Sequence, residues 1–277
     1  MPPHRQLAKD LLPPAFGQQL SYVVHRWRGD ATTFAGNYAS WEEAARQADG
    51  GYAHASILER ARLAVHRARN DPDVFERDGT ILHTAEYSFP VLAALLWLAQ
   101  QNNGRLHVVD FGGSLGSSYF QYRRFLNTIP ELRWAVVEQP HYVECGQREF
   151  ADKNLGFHPT IESALQTMRP DVLLASSVLQ YLPDPHGTLR QMSQHNFAHI
   201  LLDRTAFHHA SRDRLTLQRN PASLYSASYP AWFFCEPRLD ESFTPSYHKV
   251  WGFHGSDQVL LANGRPYYRG FLYTRTA

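Results

Sequence analysis

The chain has 277 residues, a formal net charge of +1 and 43% hydrophobic residues. This length suffices for one large α/β domain, or for a medium one that carries an extra helical segment. The near-neutral charge gives no electrostatic case for nucleic acid or an acidic membrane as a partner. The hydrophobic fraction predicts a packed core and argues against a disordered chain.

The two cysteines, Cys145 and Cys235, lie far apart in the sequence and form no C-x-x-C pair. We therefore expect two reduced thiols in a cytoplasmic protein, with neither a disulfide nor a metal site. Residues 1–10 lack the apolar stretch of a signal peptide. The most apolar stretch, residues 89–99, is about half the roughly 20 residues that a membrane span needs, so no span is expected.

Residues 1–103 are predicted to form an N-terminal helical segment that packs on the domain after it. Residues 1–36 show little periodicity and are expected to be irregular. Ser40 and Glu43 match a capping box that opens a short helix. A second helix has one apolar stripe and ends at residues 70–72, and Pro90 suits the first turn of a third.

From residue 104 to residue 277, strands and helices alternate. Strands are predicted at residues 106–111, 134–138, near 157, at 171–175 and at 198–203, each followed by a helix up to the one that starts at Asp184. Continuous apolar strands of this kind form a parallel sheet with helices on both faces. Residues 247–254 and 267–274 are predicted to form a terminal antiparallel pair. The fold class is therefore α/β and Rossmann-like, with an antiparallel C-terminal hairpin.

The first strand ends in a glycine-rich loop, residues 110–116, with the sequence DFGGSLG. Ligands of an open α/β sheet bind at the carboxyl ends of its strands. The glycines let the backbone approach a ligand closely, and the N-terminus of the next helix suits a carboxylate. Asp110 can pair with an ammonium group. A ligand with both groups is an amino acid, such as the methionine part of S-adenosylmethionine (SAM).

Glu138 ends the second strand, about 20 residues after the loop, where an acidic residue often binds a ribose diol. Each feature alone is also an ordinary glycine turn or strand end, but the combination indicates a nucleotide-type ligand. The dinucleotide pattern G-x-G-x-x-G fails here, because Ser114 and Ser117 stand where its later glycines belong. This disfavours NAD.

Residues 112–116 also match G-x-S-x-G, the nucleophile elbow of α/β hydrolases. In this alternative Ser114 is the nucleophile of a serine hydrolase, with a later acid and histidine such as Asp240 and His254. However, an elbow normally follows several strands, and no H-G-G-G segment supplies an oxyanion hole. The alternative also leaves Asp110 and Glu138 without a role.

Six segments in combination resemble a family of bacterial methyltransferases defined from a Leptospira protein. They are FERDG (residues 75–79), DFGGSLGS (110–117), VVEQ (136–139), SSVLQYL (176–182), LDRT (202–205) and ASYPAW (227–232). The resemblance runs from about Trp41 to the C-terminus. It implies the class I SAM-dependent methyltransferase fold, a seven-stranded sheet whose last strand is antiparallel. Members tend to occur with surface-polysaccharide genes, which implies a sugar or glycan-precursor substrate.

The resemblance and the loop together give a cofactor site for SAM. Its expected members are Asp110, Gly112, Gly113, Ser114, Gly116, Glu138, Gln139, Ser176 and Ser177. Ser114 departs from the usual central glycine of class I methyltransferases. The N-P-P-Y motif of amino-group methyltransferases is absent, which disfavours DNA bases as acceptors. No acidic cluster of metal-dependent O-methyltransferases is present, so no metal is expected.

Methyl transfer needs an acceptor held in line with the methyl group and, for a hydroxyl, a group that takes its proton. The loops after the fourth and fifth strands supply the candidate catalytic residues Tyr181, Arg204, His208 and His209. A histidine is the natural base, although each is also a common packing residue. Arg204 can hold an anionic substrate or form a salt bridge with Asp203 or Glu138.

Other side chains have candidate roles near the acceptor. Tyr225, Tyr229 and Trp232 can stack on a sugar ring or belong to the core. Residues 76–78 form either a wall of the acceptor site or an ion-pair network that fixes the helical segment over the sheet. The sequence thus predicts a SAM-dependent enzyme that O-methylates a small molecule or sugar precursor. A non-catalytic binding protein with this fold is a third possibility, against which the intact Asp110 and Glu138 argue.

Overall fold

The computed structural model describes residues 22–28, 31–49, 55–71, 74–82, 84, 86–221, 227–255 and 260–276. The strands are β1 (Thr33–Tyr38), β2 (Phe75–Arg77), β3 (Thr80–Leu82), β4 (Arg105–Phe111), β5 (Glu131–Val137), β6 (Leu155–His158), β7 (Val172–Ser176), β8 (His199–His208), β9 (Arg214–Arg219), β10 (Ser228–Phe233), β11 (Tyr247–His254) and β12 (Pro266–Arg275). The helices are α1 (Trp41–Arg46), α2 (Ala55–Asn70), α3 (Phe89–Gln101), α4 (Ser117–Leu126), α5 (Pro140–Glu149), α6 (Ile161–Leu165), α7 (Pro185–Gln194) and α8 (Glu236–Glu241). A 3-10 helix covers Leu179–Tyr181, and residues 22–28 are also helical.

The central sheet has seven strands in the order β11-β12-β8-β7-β4-β5-β6. Its strands β4 to β8 are parallel to one another, whereas β12 is antiparallel to both β8 and β11. Strands β5 and β6 are therefore added on one side of β4, and β7 and β8 on the other. The antiparallel hairpin of β11 and β12 completes the sheet beside β8. This is the Rossmann-like arrangement expected of class I methyltransferases, and the predicted fold class is confirmed.

Both faces of the parallel strands β4, β5, β7 and β8 are buried, which explains the apolar runs at their centres. Val108 and Leu174 point into a core formed with helix α3, which contributes Leu95. Their sequence neighbours Val109 and Leu173 point into a second core on the other face. The sheet edge that carries the carboxyl ends of β4, β7 and β8 is thereby held between two packed layers.

The predicted helix starts are largely confirmed. The Ser40 hydroxyl accepts the Glu43 N–H at 3.2 Å, while the Glu43 carboxylate caps the Ala39 N–H at 2.8 Å rather than that of Ser40. Asp184 caps α7 by accepting the Gly187 N–H at 2.8 Å. Local capping patterns are reliable because both partners lie within one turn of the chain.

A second, three-stranded sheet was not predicted. In it, β9 lies between β1 and β10 and is antiparallel to both. The expectation that residues 1–36 are irregular is therefore wrong for β1 and for the helical residues 22–28, and the N-terminal segment is not purely helical. The three strands are short, and β1 pairs with β9, which lies far along the chain. Local periodicity in the sequence does not reveal a pairing of this kind. Pro230 is tolerated because β10 is an edge strand.

Strands β2 and β3 form a β-hairpin with a two-residue turn, and Arg77 lies opposite Thr80. The hairpin lies over the carboxyl edge of the central sheet. Its turn residues Asp78 and Gly79 both have positive φ, 51° and 72°. Asp-Gly at these positions is typical of a type I′ turn. The hairpin is fixed to α2, because the Arg60 Nε donates to the Gly79 carbonyl at 2.9 Å.

Cys145 and Cys235 are buried free thiols. None of the helices in the described part of the chain is long and apolar enough to cross a membrane.

Candidate functional site

A cleft of about 270 Å³ opens at the carboxyl edge of β4, β7 and β8. Its volume is near the lower end of the range for small-molecule sites, about 300–1,000 Å³. The sheet contributes Asp110, Ser176 and Asp203, and the loops after β4 and β7 contribute Gly112, Gly113, Ser114 and Ser177. The hairpin covers one side with Glu76 to Gly79, and the small sheet covers another with Gln218 and Tyr229.

The glycines after β4 are required by the geometry of the loop. Gly112 has a φ of +73°, and its N–H donates to the Val137 carbonyl at 2.9 Å. A Cβ on Gly113 would lie 2.5 Å from a carboxylate oxygen of Asp110, which is closer than any real contact. Gly116, with a φ of +87°, caps α4. The loop thus forms a narrow cradle, in which a side chain at position 113 would overlap the carboxylate of Asp110.

Asp110 is buried at the bottom of this cradle, with 1% of its surface exposed. The Trp134 indole donates to its Oδ2 at 3.0 Å. Burial raises the pKa of Asp110 to about 7, and the charge of Glu138 adds to this rise, while the Trp134 hydrogen bond opposes it. A buried carboxylate of this kind is stabilised by a cationic ligand.

Glu138 lies beside the loop, at the end of β5. Its carboxylate accepts the Gln139 N–H at 2.8 Å, and the Ser114 N–H also favours its charged form. Burial is the larger influence and raises its pKa. Glu138, Gln139 and Gly116 are not among the described residues that line the cleft; Glu138 and Gln139 directly follow β5, and Gly116 ends the loop.

Strained backbone is concentrated around this cleft. Among the described residues, four with positive φ are neither glycine nor asparagine: Asp78, Ser114, Ser177 and Arg204. All four line the cleft. Such conformations cost roughly 1–3 kcal/mol each and persist where the surrounding structure enforces them, commonly at functional sites. The strain therefore marks the cleft independently of the sequence motifs.

Asp203 and Arg204 lie at an irregular point of β8, where the pairing with β12 shifts register. The Asp203 carboxylate is buried and accepts hydrogen bonds from Ser176 at 2.8 Å and from Ser88 at 3.3 Å. Arg204 donates to Asp78 at 2.5 Å. Its salt bridge therefore holds the hairpin over the sheet, and Asp78 was not among the partners that the sequence suggested.

The wall opposite the loop is a hydrogen-bonded network. The Tyr181 hydroxyl donates to the Gln218 Oε1 at 2.9 Å, and the Gln218 amide donates to the Tyr229 hydroxyl at 3.0 Å. Asn220 also donates to the Tyr229 hydroxyl, at 3.1 Å. Gln218 and Asn220 were missed by the sequence analysis because β9 was not predicted. Tyr225 lies outside the described residues.

The structure does not bring the candidate histidines to this cleft. The His208 Nε2 is 2.8 Å from the Arg212 carbonyl, and the His209 ring lies against Tyr267 at 4.7 Å between centroids. No histidine is among the described residues that line the cleft. Trp232, a candidate for sugar stacking, instead donates its indole N–H to the Leu182 carbonyl at 3.1 Å.

The residues of the serine hydrolase alternative are also not brought together. Ser114 lines the cleft, but His254 lies on β11, four strands from β4 and thus about 19 Å away at the usual strand spacing of about 4.8 Å. Asp240 accepts the Tyr273 hydroxyl at 2.6 Å and pairs with Lys249 at 2.8 Å. The proposed triad has no geometry in which it can act.

No family model matches the chain, and no curated protein matches its sequence. It resembles the solved structure of magnesium protoporphyrin IX methyltransferase from Synechocystis PCC 6803 with bound SAM, at 13% identity over 68% of this chain and 79% of that one, with a TM-score of 0.44. It also resembles 1,6-didemethyltoxoflavin-N1-methyltransferase from Burkholderia thailandensis, at 16% identity over 80% and 89% of the two chains, with a TM-score of 0.43.

A third likeness is to the N-terminal domain of EvdMO1, crystallised in the presence of S-adenosylhomocysteine (SAH) and D-fucose, at 12% identity over 83% of this chain and 99% of that one, with a TM-score of 0.46. Because these TM-scores are below 0.5, the fold class rests on the strand order. The resemblance to the family defined from a Leptospira protein rests on the sequence motifs.

Proposed function

We propose that this protein is a SAM-dependent methyltransferase that acts on a small, hydroxylated acceptor. The observation that carries the proposal is the cradle after β4, in which Gly113 has no room for a side chain against the buried carboxylate of Asp110. This cradle lies at the edge where an open α/β sheet binds its ligands.

The residues around the cradle fit SAM group by group. Asp110 binds the ammonium group, and the free N–H groups at the start of α4 bind the carboxylate. Gly112, Gly113, Ser114 and Gly116 shape the backbone between these groups. Glu138, with Gln139 beside it, binds the ribose hydroxyls from the end of β5. When bound, SAM supplies an electrophilic methyl group.

The acceptor is proposed to bind between the hairpin and the small sheet. This part of the cleft carries Tyr181, Gln218 and Tyr229, whose phenol and amide groups suit an acceptor rich in hydroxyls, such as a sugar. Ser176 and Ser177 also line the cleft, and the bond between Arg204 and Asp78 connects two sides of it. A sugar or glycan precursor, which the sequence motifs imply, fits this lining.

Calorimetry with SAM and SAH tests the proposal directly. We expect binding of both ligands and a rise in thermal stability by mass action. Transfer of a labelled methyl group from SAM to the small-molecule fraction of a cell extract would then identify the acceptor. Absence of binding at millimolar ligand would overturn the proposal, and binding without transfer to any fraction would favour a non-catalytic binding protein.

A further inference from the structure

Glu76, on β2, is a buried carboxylate in the wall of the cleft. Only 5% of its surface is exposed. Its Oε1 accepts the Gly79 N–H at 2.7 Å, whereas its Oε2 is enclosed and has no hydrogen-bond partner among the residues that the structure describes. A buried, unsatisfied carboxylate oxygen is costly, and in native proteins such an atom calls for a specific explanation.

The surroundings of Glu76 are those of the cofactor cradle. Glu76 lines the same cleft as Asp110, Gly113 and Ser117. The Ser117 hydroxyl, at the start of α4, is close enough to favour the charged form of the carboxylate. The hairpin therefore brings an acidic group from the N-terminal segment to the loop after β4.

The charges of the cleft do not balance. Of the residues that the structure describes, five carboxylates and three guanidinium groups line it: Glu76, Asp78, Glu86, Asp110 and Asp203, with Arg60, Arg77 and Arg204. Asp78 pairs with Arg204, and Glu86 pairs with Arg77. Neither Glu76 nor Asp110 forms an ion pair with any residue that the structure describes. Two buried carboxylates in one cleft favour a cationic ligand.

We propose that Glu76 belongs to the cofactor site and, with Asp110, binds the ammonium group of the amino-acid portion of SAM. An ammonium group has three N–H donors, so it can serve more than one carboxylate. This inference rests on the proposed function and adds to it a cofactor-binding residue outside the central sheet. It explains the unpartnered Oε2 and the placement of the hairpin.

The electrostatics of the cleft agree with this assignment. Burial is the main influence that raises the pKa of Glu76 to about 7; Asp78 adds to the rise, while Ser117, the Gly79 N–H and Arg204 oppose it. Asp110 has a similarly raised pKa of about 7. A cation bound between these groups lowers both pKa values, so binding near neutral pH releases protons.

The test is a binding cycle on the full chain with SAH and with 5′-methylthioadenosine, which lacks the amino-acid portion. Glu76→Gln retains an acceptor for the Gly79 N–H but removes the charge. We expect it to weaken SAH binding roughly ten- to a hundredfold and to leave methylthioadenosine binding unchanged. Glu86→Gln is the matched control, since Glu86 lines the same cleft but is already paired with Arg77.

Proton release provides a second measurement that requires no variant. Calorimetric titrations of the wild type with SAH, in buffers of different ionisation enthalpy at pH 7, should show net release of protons, and Glu76→Gln should release fewer. If the wild type binds SAH but Glu76→Gln binds it equally well, the assignment of Glu76 is wrong while the proposed function stands. If the wild type binds neither SAM nor SAH, the proposed function itself fails.

Discussion

At Gly113, as at Gly112, a Cβ would lie less than 3.0 Å from a neighbouring side chain. Because a Cβ at Gly113 would meet the Asp110 carboxylate at 2.5 Å, Gly113→Ala must displace either the loop or the buried acid. We expect a loss of about 1–3 kcal/mol in the free energy of unfolding, together with loss of cofactor binding. Gly156→Ala is the control, since its Cβ would meet only the end of the His158 ring, at 3.3 Å. Equal effects of the two variants in chemical denaturation would show that the close approach is not limiting.

Replacement of Ser114 distinguishes the methyltransferase hypothesis from the serine hydrolase hypothesis. We expect Ser114→Ala to retain SAM binding and methyl transfer, because a single loop hydroxyl contributes about 1 kcal/mol. In a serine hydrolase the same change removes the nucleophile and nearly all activity. A fluorophosphonate probe should leave Ser114 unmodified when the protein is analysed by mass spectrometry. Covalent labelling at this residue would reverse the assignment.

Glu138 provides a test of the ribose end of the site. Glu138→Gln keeps the shape of the side chain but removes its charge, and we expect SAH affinity to fall roughly ten- to a hundredfold. A ligand without the ribose hydroxyls should lose more affinity for the wild type than for the variant, because both changes delete the same contact. Additive losses would mean that Glu138 does not contact the ribose.

At the level of elements, the β2–β3 hairpin is a wall of the cleft that the Asp78–Arg204 salt bridge connects to β8. The carboxylate of Asp78 is 66% exposed, so its salt bridge with Arg204 contributes little to overall stability, about 0–1 kcal/mol. We therefore expect Asp78→Asn to leave the melting temperature nearly unchanged but to increase hydrogen exchange in residues 75–82. Uniform exchange across the chain, or a large fall in melting temperature, would contradict this local role.

The elements differ in how well the sequence predicts them. The parallel strands of the central sheet have apolar centres, and their helices carry local caps, so residues 104–203 are predicted closely. Residues 204–208, predicted as a loop, instead continue β8. The hairpin was missed although Asp78-Gly79 is a strong turn signal, because its strands have only three residues each. The small sheet was missed because β9 pairs with β1 from the other end of the chain, and this pairing leaves no local pattern.

For the whole molecule, the near-zero net charge conceals an uneven distribution. The chain carries a formal charge of +1, yet carboxylates outnumber guanidinium groups in the part of the cleft lining that the structure describes. The sequence identified Asp110 and Glu138, which terminate predicted strands. The role of Glu76 depends on a hairpin that folds back over the sheet, and no spacing in the sequence places it beside the loop.

This distribution predicts how stability depends on pH. Burial raises the pKa of both Asp110 and Glu76 to about 7 in the folded protein, whereas unfolded carboxyl groups titrate near 4. Between these values the folded state binds more protons than the unfolded state. The contribution of these two groups to the free energy of unfolding is therefore greatest below about pH 4 and declines as the pH rises to about 7.

Double substitution, of Asp110 by Asn and of Glu76 by Gln, removes both carboxyl groups. In urea denaturation without ligand, the free energy of unfolding of this variant should therefore decline less than that of the wild type across this pH range. Parallel curves for the two proteins would show that these carboxylates are not the groups responsible. Because SAM is cationic and neutralises the same charges, the stabilisation that it provides should be larger at pH 8 than at pH 6.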